Sequence, residues 1–165
     1  MENREIERKF LVKDDSYRAL ARTHCDIIQG YISREAGRSV RIRLCTEADG
    51  RQKAWLTIKS RIASFTRFEW EKEISVEDFR ALMPLCGGRV IDKTRYILPA
   101  EILNNSNAPT EDLSLKWEID EFRSPNPGLI MAEIELPDEQ TPFVKPAFVG
   151  EEVTHDSHYY NSNMV

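Results

Sequence analysis

Over much of its length the chain alternates one apolar residue with one ionisable residue. That is the period of a β-strand with one face in an apolar core. Glu5-Ile6-Glu7-Arg8-Lys9-Phe10-Leu11-Val12 places Glu5, Glu7 and Lys9 on one face, and Ile6, Phe10 and Val12 with Arg8 on the other. A strand over 25–34 carries Ile27, Ile28, Tyr31 and Ile32. Ser39-Val40-Arg41-Ile42-Arg43-Leu44 alternates strictly, and Lys53 to Lys59 sets Ala54, Leu56 and Ile58 against Lys53, Trp55, Thr57 and Lys59. Residues 67–74 oppose Phe68, Trp70 and Ile74 to Arg67, Glu69, Glu71 and Glu73. A strand over 89–98 puts Lys93 and Arg95 together. The strand over 113–122 separates Leu113, Leu115, Trp117 and Ile119 from Lys116, Glu118 and Asp120. Residues 130–136 oppose Ala132, Ile134 and Leu136 to Glu133 and Glu135.

The period changes in a few places. Tyr17, Leu20 and Ala21 form the stripe of a short helix over 15–24, with Asp14, Asp15 or Ser16 as its cap. Ser75 caps a second helix whose apolar side is Phe79, Leu82, Met83, Leu85 and Cys86, and Gly87-Gly88 stops it. Residues 60–65 and the polar stretch 99–112 read as loops, and Ser124 to Gly128 reads as a turn. The tail 138–165 ends in a short helical segment around His155 to Asn163.

About eight strands joined by short turns predict an α+β chain dominated by one antiparallel sheet. The polar faces of these strands hold charges and little Ser, Thr, Asn or Gln. The residues two apart are like-signed: Glu5 and Glu7, Arg41 and Arg43, Lys93 and Arg95, Glu118 and Asp120, Glu133 and Glu135. Like charges held this close repel unless a countercharge lies between them. Two architectures satisfy the pattern. One is a sandwich with a solvated charged face. The other is a closed barrel whose lumen collects the charges around a polyanion and a divalent metal.

A length of 165 residues suits one domain over 1–165, with room for a real core. A charged share of 31% with no apolar run of membrane length predicts no membrane span. Met1-Glu2-Asn3-Arg4 is not a signal peptide. Cys25, Cys45 and Cys86 are scattered and odd in number, which reads as reduced thiols and a cytoplasmic location. A net charge of −5 speaks against nucleic acid as a partner. His24, His155 and His158 are too few and too dispersed for a zinc site, and there is no P-loop.

Several blocks carry a family resemblance: Glu5-x-Glu7-x-Lys9, Gln29-Gly30-Tyr31-Ile32, Val40-Arg41-Ile42-Arg43, Leu56-Thr57-Ile58-Lys59, Arg67-x-Glu69-x-Glu71, Lys93-Thr94-Arg95-Tyr96, Trp117-Glu118-Ile119-Asp120 and Ala132-Glu133-Ile134-Glu135. In this order they resemble the CYTH superfamily, the triphosphate tunnel metalloenzymes. The ending Glu152-Val153-Thr154 with Tyr159-Tyr160-Asn161 is similar to the short bacterial members. The resemblance implies an eight-stranded closed barrel, a tunnel binding a small-molecule triphosphate with Mg²⁺ or Mn²⁺. It implies metal carboxylates at Glu5, Glu7, Glu133 and Glu135, assisted by Glu118 or Asp120. It implies phosphate contacts from Lys9, Arg41, Arg43, Lys59 and Arg95, with Lys93. Lys53 and Lys116 join that set by strand parity. Glu5, Glu7, Lys9, Glu69, Glu71 and Lys93 form the candidate catalytic group. A homodimer is compatible with this reading.

Phosphoryl transfer needs charge neutralised on the transferring group and an attacking oxygen held in line, and these residue types supply both. Hydrolysis of inorganic triphosphate to pyrophosphate and phosphate is the expected activity. Class IV adenylate cyclase and hydrolysis of thiamine or nucleoside triphosphates are alternatives of the same chemistry. A polyphosphate-binding module without turnover is the alternative of another class; it would need the bases but not the acids.

Overall fold

The structure is a computed structural model that describes residues 3–63, 66–103 and 109–165. In chain order its strands are β1 (Arg4–Val12), β2 (Thr23–Glu35), β3 (Arg38–Glu47), β4 (Gln52–Ala63), β5 (Thr66–Ile74), β6 (Val90–Leu103), β7 (Pro109–Ser124), β8 (Ile130–Glu135) and β9 (Val149–Glu152). Helix α1 (Tyr17–Leu20) lies between β1 and β2, and α2 (Val76–Leu82) follows β5. The hydrogen-bonded order is β5-β4-β3-β2-β6-β7-β8-β1-β9, and β5 also pairs with β1. Every pairing is antiparallel, so β1 to β8 close into an eight-stranded barrel. Closure depends on β1 serving several neighbours. Its residues 4–6 meet β5, 7–11 meet β8, and Phe10 and Val12 meet β9.

The apolar faces pack outward, on different covers. Ile42, Ala54 and the half-buried Leu44 and Leu56 pack with Phe79 of α2 and with Cys86. Ser75 caps α2 by accepting the Asp78 amide at 2.9 Å, as its sequence predicts. Gly87 then turns with φ +57°, a region that disfavours side chains. Gly30 lets this cover sit close, because a Cβ there would lie 2.5 Å from Cys86 Sγ. On the other side Ile6, Phe10, Leu115, Trp117, Ile119, Ala132 and Ile134 form the main core. The tail covers it: Phe143 packs edge-on against Phe10 and Trp117, and Phe148 against Tyr17.

Several local expectations are corrected. The helix over 15–24 shrinks to Tyr17–Leu20, and Thr23 already begins β2. Pairing with β3 and β6 satisfies the backbone there, which a lone turn of helix cannot do. The loop at 60–65 is strand as far as Ala63 and again from Thr66; positions 64 and 65 lie outside the described residues. The loop at 99–112 is largely a strand pairing, Pro99↔Lys116 to Leu103↔Pro109, and 104–108 lie outside the described residues. β9 was not foreseen, and the last segment is two 3₁₀ turns, Ser157–Tyr159 and Asn161–Asn163.

Candidate active site

The inward positions follow the predicted parity. A chamber of about 540 Å³ is lined by Arg4, Glu5, Glu7, Arg41, Arg43, Lys59, Glu69, Glu71, Arg95, Lys116, Glu118, Glu133 and Glu135, among others. Cross-strand register brings them together. Lys9 lies opposite Glu133, Glu7 opposite Glu135, Lys59 opposite Glu69, and Arg95 opposite Asp120. Charge pairing follows that register. Lys9 Nζ lies 2.6 Å from Glu133 and 2.7 Å from Glu7, and Lys59 Nζ lies 2.8 Å from Glu5 and 3.3 Å from Glu69. Arg95 holds Glu118 at 2.5 Å, and Arg43 is 3.5 Å from Glu71. Lys116 is exposed at the mouth, 3.3 Å from Glu118.

Beside the chamber the set becomes a buried anchor. Asp120 is fully buried and accepts Lys93 Nζ at 2.6 Å and the Arg95 guanidinium at 2.7 and 2.8 Å. Burial opposes ionisation of Asp120, but Arg95 and Lys93 outweigh it and hold its carboxyl well below the usual range. Burial pulls Lys93 down to about 8 despite Asp120. Asp120 thus spends its oxygens on two cations.

Two groups in the chamber are left wanting. Arg41 Nε and Arg43 Nε are buried and have no hydrogen-bond partner among the described residues. A buried donor without an acceptor costs about 1–3 kcal/mol, so it is poised for an anion. Burial, then Arg41 and Arg95, lowers the Arg43 pKa. The carboxylates show the converse. Glu135 has no ion pair among the described residues; burial first, then Glu5, Glu69, Glu7 and Glu118, raises it to about 7. An acid crowded by acids is a place for a cation. The donor set is hard oxygen, which suits Mg²⁺ or Mn²⁺ over softer metals. Among the described residues no three such side chains already converge on one point. Lysines 9 and 59 occupy the acids instead, and a metal would have to displace them.

One predicted residue lies elsewhere. Lys53 has the parity of Lys59, but it sits on an exposed stretch of β4 and does not line the chamber. Parity sets the face of a strand, not the height along it. Trp55 lines an apolar corner with Cys25, Ile27 and Cys45, and Arg43 lies over its ring at 5.1 Å. Others were missed as site residues. Thr57, fully buried, donates to Glu71 at 2.7 Å; its place on the charged face was the available signal. Asn161 accepts from Lys93 at 3.0 Å, a contact between tail and barrel that no local pattern announces. The lumen beyond Lys93 is filled by Tyr31, Ile91, Phe122, Met131 and Val153, with Tyr159 and Met164 of the tail. His24 stacks on Tyr96 and His158 pairs with Asp156, so neither is near the chamber's lining.

Comparison with known proteins agrees with this geometry. The chain is 40% identical over 163 residues to an inorganic triphosphatase of Acetivibrio thermocellus, covering 98% of this chain and 93% of the relative. It is 32% identical over 162 residues to an inorganic triphosphatase of Nitrosomonas europaea, covering 95% and 93%. A crystal structure of an inorganic triphosphatase superposes with a TM-score of 0.58 at 28% identity, covering 96% of this chain and 92% of the other. The CYTH domain model matches residues 3–163. A closed barrel with the charges of eight strands turned inward, and a family match over nearly its whole length, make this chain a member of the CYTH family.

Proposed function

We propose that this chain hydrolyses inorganic triphosphate to pyrophosphate and phosphate inside the chamber, with a divalent cation. The observation that carries the reading is the juxtaposition of unpartnered Arg41 and Arg43 donors with the cation-poor acid Glu135 in one space. In the reaction a water oxygen adds to a terminal phosphorus, the phosphoanhydride P–O bond breaks, pyrophosphate leaves with the bonding pair, and the water's proton passes to solvent. Arg41, Arg43 and Arg95 would bind phosphate oxygens through planar forks, and Lys59 as a point charge. Asp120 holds Arg95 and Lys93 in place for this. Glu5, Glu7, Glu133 and Glu135, with Glu118, would hold the metal, which supplies charge neutralisation on phosphate oxygens and a more acidic bound water. Glu69 and Glu71 balance Lys59 and Arg43. Lys9, held by Glu7 and Glu133, would add a further point charge beside the phosphate oxygens.

The adenylate cyclase alternative needs a shelf for the base. Trp55 shares the parity of the charged face of β4, but Arg43 already lies over its ring at 5.1 Å. The three free cysteines fit a reducing compartment, and we place the chain in the cytoplasm. Among the described residues no helix is long and apolar enough to cross a membrane.

The test is phosphate release from triphosphate, ATP and thiamine triphosphate, side by side, with Mg²⁺ and Mn²⁺. Triphosphate should exceed ATP in kcat/KM by more than about tenfold, roughly 1.4 kcal/mol of barrier. Equal or better turnover of ATP, or any 3′,5′-cyclic AMP, overturns the choice.

A further inference from the structure

The barrel has a second opening with a different charge. A cavity of about 290 Å³ lies where the β2–β3 turn, the end of β4 and the start of β5 meet the tail. Its cations are Arg34, Arg38, Arg61, Arg67 and, at its inner edge, Lys59. Among the described residues Glu35 is the sole carboxylate in the lining, and Arg38 already holds it at 2.5 Å. The chamber, by contrast, mixes its bases with seven carboxylates: Glu5, Glu7, Glu69, Glu71, Glu118, Glu133 and Glu135. The second opening therefore has the charge for an anion and lacks the oxygens for a divalent metal.

This opening is a constructed site and not a chance crowd of surface arginines. Arg61 and Arg67 face each other directly across β4 and β5; on its other side Arg67 lies opposite Glu5, which Lys59 holds at 2.8 Å, so among the described residues Arg61 has only a like charge across from it on β5. The Arg67 guanidinium is seated over the Tyr160 ring at 4.6 Å, which fixes its plane. The Arg61 amide donates to Gly37 O at 2.7 Å and so ties β4 to the turn that carries Arg34 and Arg38. Gly37 adopts φ +77°, which allows that turn to fold close over Arg61. Among the described residues no carboxylate pairs with Arg34, Arg61 or Arg67.

Between the openings lies a space of only about 40 Å³, bounded by Arg41, Lys59, Arg67 and Tyr160 among others. That space admits water but is far smaller than the cavity on either side, so it is a constriction between two larger cavities. Lys59 and Arg41 border it from the chamber, and Arg67 and Tyr160 from the second opening. We infer that the second opening is a metal-independent binding site for a small phosphate anion, orthophosphate or pyrophosphate, separate from the chamber. The site stands on its charge and register and does not depend on the hydrolysis reading. If the chamber does hydrolyse triphosphate, the same chemistry makes the site a resting place for its free products.

The test is isothermal titration of pyrophosphate, and separately of orthophosphate, into the full chain in EDTA and chloride-free buffer. The Arg34→Ala/Arg61→Ala double variant should weaken binding at least tenfold; these side chains are exposed. Arg43→Ala reports any separate binding event in the chamber and should leave the Arg34/Arg61-dependent affinity within twofold. Thermal melts identify a variant that fails to fold; Arg61→Gln alone then serves, with at least a threefold loss expected. Unchanged affinity in the folded Arg34/Arg61 variants overturns the site, as does a loss confined to Arg43→Ala, which would put the anion in the chamber. Should triphosphate hydrolysis be absent while the Arg34/Arg61 dependence persists, the site stands and the activity reading falls. If both products bind, inhibition of turnover by each, relieved in the double variant, marks the ligand as product. Inhibition that survives in the double variant assigns that effect to the chamber.

Discussion

Replacing Asp120 by Asn should cost stability out of proportion to the single atom changed. The carboxylate is fully buried between two cations that are themselves out of water. Asn keeps the shape and one acceptor oxygen but removes the charge that holds both. Breaking a buried ion pair by neutralising one partner costs about 3–5 kcal/mol, because the surviving charges stay desolvated. The two cations do not suffer alike. Arg95 keeps Glu118 at 2.5 Å and Glu133 at 3.9 Å. Among the described residues Lys93 keeps the Asn161 oxygen at 3.0 Å, the Phe122 ring at 5.4 Å and the more distant charge of Glu133. Lys93 can also shed its proton, since burial already draws it down to about 8. These escapes put the expected loss at the low end, about 3 kcal/mol. For a chain of this size each kcal/mol moves the melting temperature by about 2–4 °C, so Asp120→Asn should melt about 6–12 °C lower. Thermal denaturation in EDTA at neutral pH, followed by circular dichroism, measures it without any metal contribution. A drop under about 2 °C would refute the anchor and return Asp120 to the candidate metal ligands.

Glu135→Gln should do the opposite. The acid is crowded by Glu5, Glu69, Glu7 and Glu118 and faces solvent in the chamber, so after screening the neutral side chain should gain up to about 1 kcal/mol in EDTA at pH 8. Turnover should be lost, and Mg²⁺ should raise the melting temperature of wild type more than that of the variant. Near-normal hydrolysis would remove Glu135 from the site. Arg43→Ala should raise KM for triphosphate at least about tenfold, about 1.4 kcal/mol, whereas Lys53→Ala, outside the chamber, should stay within about twofold; steady-state kinetics on both separates parity from position. Gly30→Ala should cost about 1–3 kcal/mol in chemical denaturation, since its Cβ would meet Cys86 Sγ at 2.5 Å, and Cys86→Ala in the same chain should recover part of it. No recovery would place the cost in the backbone instead.

Alternation along the chain determines more here than composition does. A period of two assigns each residue to a face, and Arg41, Arg43, Glu133 and Glu135 line the chamber because a slip of one position would turn each of them outward. The caps of α2 were likewise legible, since Ser75 and Gly87 act on backbone a few residues away. Lone strands carry no information about closure. Whether the charged face met solvent or a lumen was decided when β1 paired with both β5 and β8. Nor does parity give height along a strand: Lys53 and Lys59 share a face, and only Lys59 reaches the chamber. Partnership between charges is also tertiary. Asp120 and Glu135 look alike in sequence, each one of a like-signed pair, yet one is clasped by Lys93 and Arg95 and the other, with no ion pair among the described residues, is crowded by Glu5, Glu69, Glu7 and Glu118. The difference lies in cross-strand register, which brings Asp120 opposite Arg95 and Glu135 opposite Glu7 across residues far apart in the chain. The same holds for Asn161 on Lys93 and Tyr160 under Arg67: the tail's place depends on packing against a finished barrel, which no local pattern encodes.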